Sequence, residues 1–162
     1  MATTGQALRD PAHRVSPRAR AMWVTTAAVE GVVALVVLLG AVLAWDAVPA
    51  WTLALLLVAE VVWIAVVPQW RYRTHRWEVT DTAVYTQTGW WARERRIAPM
   101  SRIQTVDHAE GPVERLFGLA SVTITTASAA GALAVPGLDR EVARRLVDDL
   151  VRQADAVEGD AT

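Results

Sequence analysis

Arginines are the side chains with the clearest binding chemistry in this 162-residue sequence, which contains no lysine. A guanidinium binds phosphate through two parallel hydrogen bonds, so several arginines that converge on one phosphate would form a headgroup pocket. Near an anionic membrane each basic residue also adds about 1 kcal/mol of attraction. The candidates for contact with headgroups or the membrane surface are Arg71, Arg73, Arg76, Arg93, Arg95, Arg96 and Arg102.

The same arginines also have a purely structural interpretation, and the sequence leaves both open. The three at positions 71–76 follow a long apolar run, where positive charge marks the cytoplasmic side of a membrane. Those at positions 93–96 would be solvated residues of a strand edge, which discourage aggregation between sheets.

Two glutamates, Glu30 and Glu60, interrupt otherwise apolar stretches. A carboxylate at the centre of a bilayer is costly unless it is neutralised or paired. At about 1.5 Å per residue, Glu30 lies roughly 22 Å from Trp45 and Glu60 roughly 14 Å from Trp51, within about two helical turns of one depth. The pair fits proton or ion handling, or contact with a polar group of a partner membrane protein. It also fits protonated side chains that hydrogen-bond to each other or within an oligomer.

Patterns typical of catalysis or metal binding are not found in the sequence. Cysteine is absent and the three histidines are scattered. Asp107, His108 and Glu110 have the composition of a metal site, but neighbouring residues of a strand point to opposite faces. No nucleophile elbow, phosphate-binding glycine loop or HExxH sequence occurs. We therefore expect no enzymatic activity, no bound metal and no cofactor.

Two apolar runs dominate the first half of the sequence, from Met22 to Trp45 and from Val48 to Trp70. Each is long enough to cross a bilayer, which takes about 20 apolar residues in a helix. A cleaved signal peptide would be followed by a polar chain, whereas here a second apolar run follows. A buried helical hairpin in a soluble protein is the alternative, but so small a chain could hardly cover it. The sequence therefore predicts a transmembrane hairpin.

Charged and aromatic residues at the ends of the runs predict their orientation. The short connection carries only Asp46, whereas both outer flanks are basic, so both termini are predicted to be cytoplasmic. The basic flanks contain Arg9, Arg14, Arg18 and Arg20 before the first run and Arg71, Arg73 and Arg76 after the second. The four predicted interfaces carry the tryptophans of an aromatic belt, Trp23, Trp45, Trp51 and Trp70.

From Arg76 onwards the hydrophobic period changes from that of a helix to that of a strand. Six short segments alternate apolar and polar residues between turns, as in an antiparallel sandwich or small barrel. Trp90 and Trp91 follow the turn after the second segment and suit either the core or a membrane interface. Asp139 fits the N-cap of an amphipathic C-terminal helix. The predicted fold class is α+β: a transmembrane hairpin, then an antiparallel β-sandwich or barrel closed by a C-terminal helix, like a pleckstrin-homology (PH) domain.

The segment GPVERLFGLASVTITT, at Gly111–Thr126, predicts a short helix that turns into a strand. Pro112 fits the first helical turn and Gly118 its left-handed end. We expect the Arg115 side chain to bond backbone carbonyls across this corner, so that Arg115→Ala would lower stability. The apolar residues expected to anchor the corner in the core are Leu116, Phe117 and Leu119.

Several motifs follow one another in a specific order after the two spans. They are a glycine turn, an arginine-rich strand closed by a proline, an RIQTV strand, an RLFGL corner and a strand ending in small polar residues. Their positions are Gly89, Arg93–Ile97, Arg102–Val106, Arg115–Leu119 (with the corner motif Arg115, Leu116, Phe117 and Gly118) and Ser121–Thr126. This order resembles the YdbS-like bacterial PH domain proteins, the family also called DUF304 or bPH2. The proline of IAPM lies one residue later than is usual there, which should affect only the turn.

The resemblance implies a PH-like fold at the inner face of a bacterial plasma membrane, without known catalytic activity. It also implies a membrane complex as partner, because members are often encoded beside a larger relative with repeated domains of the same kind. The leading hypothesis is a non-enzymatic membrane-anchored adaptor or scaffold that binds a protein partner or self-associates. The alternatives are an anionic-lipid or small-ligand sensor that uses the basic strand residues, and an accessory subunit of a membrane transport complex. Nucleic acid is not expected as a partner, since the net charge is −1.

These observations divide the chain into four predicted parts. They are a cytoplasmic N-terminal arm (1–21), a transmembrane hairpin (22–70, with helices 22–45 and 48–70), a cytoplasmic PH-like domain (71–155) and a disordered tail (156–162).

Overall fold

A computed structural model describes residues 10–89, 91–127 and 131–159 of the chain. A two-residue strand, β1 (His13–Arg14), precedes two long helices, α1 (Pro17–Ala44) and α2 (Trp51–Thr74). The strands that follow are β2 (Arg76–Val79), β3 (Ala83–Thr88), β4 (Glu94–Pro99), β5 (Ile103–Ala109), β6 (Leu119–Thr126) and β7 (Leu133–Asp139). The remaining elements are a 3-10 turn (Met100–Arg102), the short helix α3 (Pro112–Phe117) and the final helix α4 (Arg140–Gly159).

Two antiparallel sheets form the domain, in the strand orders β1-β2-β3-β4 and β5-β6-β7. Strand β6 alternates buried and half-buried residues, which is why it has one face in the core. Val84, Ile124 and Leu138 meet there and are covered by Leu146 and Leu150 of α4. Full burial of side chains of this kind contributes about 1.5–3 kcal/mol each. The predicted α+β fold with a closing C-terminal helix is confirmed, although the sheets do not close into a barrel.

The N-terminal arm supplies a strand to the first sheet, which the sequence did not indicate. His13 pairs with Trp77 and Arg14 with Arg76, so β1 forms the edge of the sheet beside β2. The chain therefore leaves the sheet after β1, passes through α1 and α2, and returns as β2. The helical hairpin is an insertion between two paired strands.

Both helices are long and apolar enough to cross a membrane. Helix α1 begins at Pro17 rather than at the predicted Met22, and α2 ends at Thr74 rather than at Trp70. With 28 and 24 residues they measure about 42 and 36 Å, more than the roughly 30 Å of a bilayer core. The extra turns of both helices lie at the end next to the domain.

The C-terminal helix follows β7 directly. Asp139 immediately precedes α4, at the position predicted for its N-cap. The helical backbone continues to Gly159, past the predicted boundary of the tail. Residues 160–162, residues 1–9 with Arg9, and Trp90 lie outside the described residues.

Candidate functional site

The hairpin is attached to the domain through the first turn of α1. The Ser16 backbone N–H donates to the Gly137 carbonyl at 2.9 Å, and the Ser16 hydroxyl donates to the Asp139 carboxylate at 2.9 Å. Ala19 packs so closely on Gly137 that a Cβ there would lie 2.7 Å from the Ala19 Cβ. We call this contact the junction; its apolar members are Val15, Ala19, Met22, Trp23 and Leu119.

Trp23 belongs to the junction and is buried, at 8% exposed, rather than facing lipid as the aromatic-belt pattern suggests. The Arg71 guanidinium lies 4.4 Å from the centroid of its ring, and the His75 ring centroid lies 5.2 Å away. Since Arg71 and His75 come from α2 and the residue after it, they connect the second helix to the first. The other three tryptophans predicted at the interfaces are exposed: Trp45, Trp51 and Trp70.

His75 is neutral in the folded protein at physiological pH. Its ring is buried, and Nδ1 lies 2.8 Å from the Arg71 carbonyl, so this nitrogen must carry the hydrogen that it donates. Burial is the main cause that lowers the pKa of His75 to about 4, and the nearby Arg71 charge lowers it further, while the hydrogen bond to the carbonyl raises it. The two pKa-lowering causes both disfavour the imidazolium form.

Several of the seven candidate arginines are occupied by contacts within the protein. Arg95 forms an ion pair with Asp10 and donates to Gln87 Oε1 at 3.0 Å. Arg96 pairs with Glu94 at 2.7 Å and donates to the carbonyl of residue 132 at 3.1 Å. Arg76 donates to the carbonyl of residue 11 at 3.4 Å.

The other arginines are distributed around the domain. Arg73 lies exposed in the last turn of α2, Arg93 is exposed before β4, and Arg102 is exposed in the 3-10 turn after it. Arg95 and Arg96 are consecutive on a strand and so point to opposite faces. The structure does not bring these side chains around one phosphate-sized site.

Glu30 and Glu60 line one groove between α1 and α2. We call it the glutamate groove; it is a cavity of about 430 Å³ lined by Ala27, Glu30, Ala34, Ala59, Glu60 and Trp63. Glu60 lies against the backbone of α1, where a Cβ on Gly31 would be 2.8 Å from its Oε2. An adjoining cavity of about 200 Å³ continues past Glu30 to Arg71. Within the described part of the chain, neither carboxylate has a hydrogen-bond or ion-pair partner.

The corner at Gly111–Thr126 is stabilised by Glu114 rather than by Arg115. Glu114 Oε2 accepts from the Gly111 N–H at 2.8 Å, and Oε1 accepts from the Ser121 hydroxyl at 2.5 Å. Arg115 is exposed, and the expected bonds from its guanidinium to backbone carbonyls are not made within the described residues. The expectation for Arg115 is therefore wrong, although the capping-box spacing in GPVE could have identified Glu114.

The apolar residues of the corner divide into two groups. Phe117 and Leu119 pack in the junction, as predicted for core anchors. Leu116 does not, since 84% of its surface is exposed. Gly118 has φ +66°, the predicted left-handed end of α3.

Replacing Glu114 with alanine should lower the free energy of unfolding by about 1–3 kcal/mol. The change leaves the Gly111 N–H and the Ser121 hydroxyl without their acceptor at a half-buried position. Arg115→Ala is the matched control and should change stability by less than about 0.5 kcal/mol. Thermal unfolding of the full chain in detergent measures both, and equal losses in the two variants would contradict this assignment.

The described residues contain no group of three His, Asp or Glu side chains arranged to hold a metal. In the DHAE segment, Glu110 pairs with Arg140 at 3.0 Å, and His108 Nε2 lies 3.9 Å from Glu110. Of the two acidic residues in the segment, Glu110 is thus engaged by a cation of α4, while the Asp107 carboxylate accepts from the Thr105 hydroxyl at 3.4 Å.

Comparison with known proteins agrees with this architecture. The family described as Bacterial PH domain matches residues 23–154. The UPF0699 transmembrane protein YdbS of Bacillus subtilis (strain 168) is 31% identical over 159 residues, which cover 93% of this chain and 97% of that protein. No solved structure matches the chain significantly. The family match includes nearly all of the apolar hairpin, strands β2 to β7 and most of the closing helix, and the chain belongs to the bacterial PH domain family.

Proposed function

We propose that the protein is a non-enzymatic, membrane-anchored PH-like scaffold that binds a partner membrane protein or further copies of itself. The observation that carries the proposal is the glutamate groove. Its two carboxylates lie on apolar helices without a partner among the described residues. A carboxylate facing lipid is costly unless it is neutralised or paired, so this surface is stabilised when another protein covers it.

The shape of the groove indicates the kind of segment that covers it. Alanines line it on both helices, at positions 27, 34 and 59, and small residues let a further helix approach closely. Glu30 and Glu60 then accept hydrogen bonds from that helix. The partner is therefore a transmembrane helix with an arginine, a lysine or a polar donor at the depth of the groove.

The proposed topology has two spans and both termini in the cytoplasm of a bacterial cell. The pairing of β1 with β2 supports it, because both ends of the hairpin must lie on one side of the membrane. Arg20 and Arg73 are exposed at these ends, and positively charged flanks stay in the cytoplasm.

The other candidate functions have less support. A headgroup sensor built on the basic strand would need Arg95 and Arg96, which already bond side chains of their own domain. An accessory subunit of a transport complex would bind its partner through the same groove. The identity of the partner therefore distinguishes an accessory subunit from a scaffold protein. Enzymatic activity is not part of the proposal, since PH-like domains of this family carry no known catalytic role.

Changing Glu30 and Glu60 together to leucine should reduce partner recovery or self-association at least fivefold. Leucine keeps the helices apolar but removes both acceptors from the groove. The measurement is affinity purification of the full chain in mild detergent, followed by mass spectrometry and by the determination of oligomeric state.

Glu141→Leu is the matched control, because this glutamate is exposed on the domain and its carboxylate pairs with the neighbouring Arg144 at 3.8 Å. It should leave recovery unchanged. The double Glu→Gln variant tests the charge: loss of binding indicates a cationic partner, and retained binding a hydrogen-bond donor. Consistent recovery of the unchanged protein alone, as a monomer, would refute the scaffold function.

A further inference from the structure

We infer that the domain contacts the bilayer surface at two apolar points on either side of the hairpin. One is Trp91, in the turn between β3 and β4. The other is the outer face of α3, formed by Val113 and Leu116. The ligand of both points is the headgroup–acyl boundary of the membrane that the hairpin crosses.

The turn between β3 and β4 lies at the end of the domain next to the membrane. Arg76, the first residue of β2 after α2, pairs with Gln87, so β3 runs towards the membrane as it approaches the turn. The Thr74 hydroxyl donates to the Gly89 carbonyl, which places the start of the turn at the last residue of α2. Trp91 comes two residues later and is 88% exposed.

The position of Trp91 relative to the membrane follows from these contacts. Trp70, at the predicted boundary of the span, is one helical turn, or about 6 Å, from Thr74. Trp91 is two residues from Gly89, so their Cα atoms are at most about 7 Å apart. The Trp91 ring is therefore within reach of the interface, where tryptophan side chains concentrate.

Helix α3 reaches the same level on the other side of the hairpin. Phe117 packs in the junction with Ala19 and Met22, and Met22 is the first residue of the predicted span. Val113 and Leu116 are three residues apart and so share one face of α3. They are 41% and 84% exposed, respectively.

The charge distribution favours a lipid surface rather than a protein as the ligand. Arg93 is exposed two residues after Trp91, and Arg20 and Arg73 are exposed in the turns of α1 and α2 next to the domain. Basic side chains near the cytoplasmic leaflet are attracted by its anionic lipids, which would bring the apolar residues into contact with it. The two points also lie next to the long helices, since α3 packs against α1 and Gly89 is hydrogen-bonded to Thr74 at the end of α2.

Site-specific labelling tests this inference, because the chain has no cysteine and each introduced cysteine is unique. The full chain carrying Trp91→Cys, Val113→Cys or Leu116→Cys is labelled with an environment-sensitive fluorophore. It is reconstituted as single copies in nanodiscs of zwitterionic and anionic lipid. We expect blue-shifted emission and at least twofold quenching by lipids spin-labelled near the headgroup.

Thr82→Cys and Val151→Cys are the matched controls. Thr82 is exposed at the far end of β3, and its carbonyl accepts from Met100. Val151 is an exposed apolar residue on α4, which packs against the turn containing Met100. Both labels should show aqueous emission and little quenching by spin-labelled lipid.

Emission and lipid quenching at positions 91 and 116 equal to those at position 82 would overturn the inference. So would labels that are shielded from an aqueous quencher without being quenched by spin-labelled lipid, since that result indicates protein contact. Neither measurement depends on the glutamate groove or on a partner, so failure here is distinguishable from failure of the scaffold function.

Discussion

Gly137→Ala should lower the free energy of unfolding by about 2–5 kcal/mol. Gly137 has φ +71°, where a side chain is strained, and its new Cβ would lie 2.7 Å from the Ala19 Cβ. The strain costs about 1–2 kcal/mol and overpacking typically adds about 1–3 kcal/mol. For a chain of this size the melting temperature should fall by roughly 4–20 °C. Thermal unfolding of the full chain in detergent, followed by tryptophan fluorescence, measures the effect.

Two variants separate the steric part of this effect from the backbone part. Gly131 has φ +78° with open space around its Cβ position, so Gly131→Ala reports the strain alone. Adding Ala19→Gly to Gly137→Ala removes the clash and should recover about half of the lost stability. If Gly137→Ala is as stable as Gly131→Ala, the added methyl group causes no clash. That result would show that α1 can shift away from the domain and that the junction is not tightly packed.

The sequence predicted the elements whose signal is local. Alternating β-branched residues identified β6, and two apolar runs with basic flanks identified the helices. Pro112 and Gly118 correctly placed the ends of α3, because each has a backbone conformation that suits only one end of a helix. These features needed no knowledge of distant contacts.

The features that the sequence did not predict depend on residues far apart in the chain. Strand β1 has two residues, too few for an alternating pattern, and it pairs with β2 across the whole hairpin. Gly137 looks like an ordinary turn glycine until Ala19 packs on it. Trp23 matched the aromatic-belt pattern, but the extra turns of α1 place it against Arg71 and the domain instead.

The candidate functional residues show the same difference between local features, which the sequence predicted, and long-range contacts, which it did not. Sequence reasoning identified the arginines as basic, but not that Arg95 pairs with Asp10, 85 residues away. It placed Glu30 and Glu60 at similar depths by counting residues from the loop, and the structure puts both in one groove. It missed His75, whose importance comes from burial rather than from any motif.

Lowering the pH from 7 to 5 should destabilise the protein through His75 by about 2 kcal/mol. The unfolded side chain titrates near its usual pKa of 6.5, whereas in the folded protein the pKa is lowered to about 4 by burial. Between these values the unfolded state takes up a proton that the folded state does not, so stability falls as the pH falls. Each unit of difference between the two pKa values corresponds to roughly 1.4 kcal/mol. The stability that comes from keeping His75 neutral is fully present above about pH 6.5 and is lost by about pH 4.

His75→Asn isolates this effect, because the asparagine amide can donate to the Arg71 carbonyl but does not titrate. The melting temperature of the unchanged protein should fall between pH 7 and pH 5 by roughly 4–8 °C more than that of the variant. His108→Asn is the matched control: it makes the same change at an exposed histidine outside the junction, so the difference between the two variants reports the contribution of His75. Parallel pH profiles for the unchanged protein and His75→Asn would mean that the imidazole is accessible to water, and that the contact between Trp23 and His75 opens in solution.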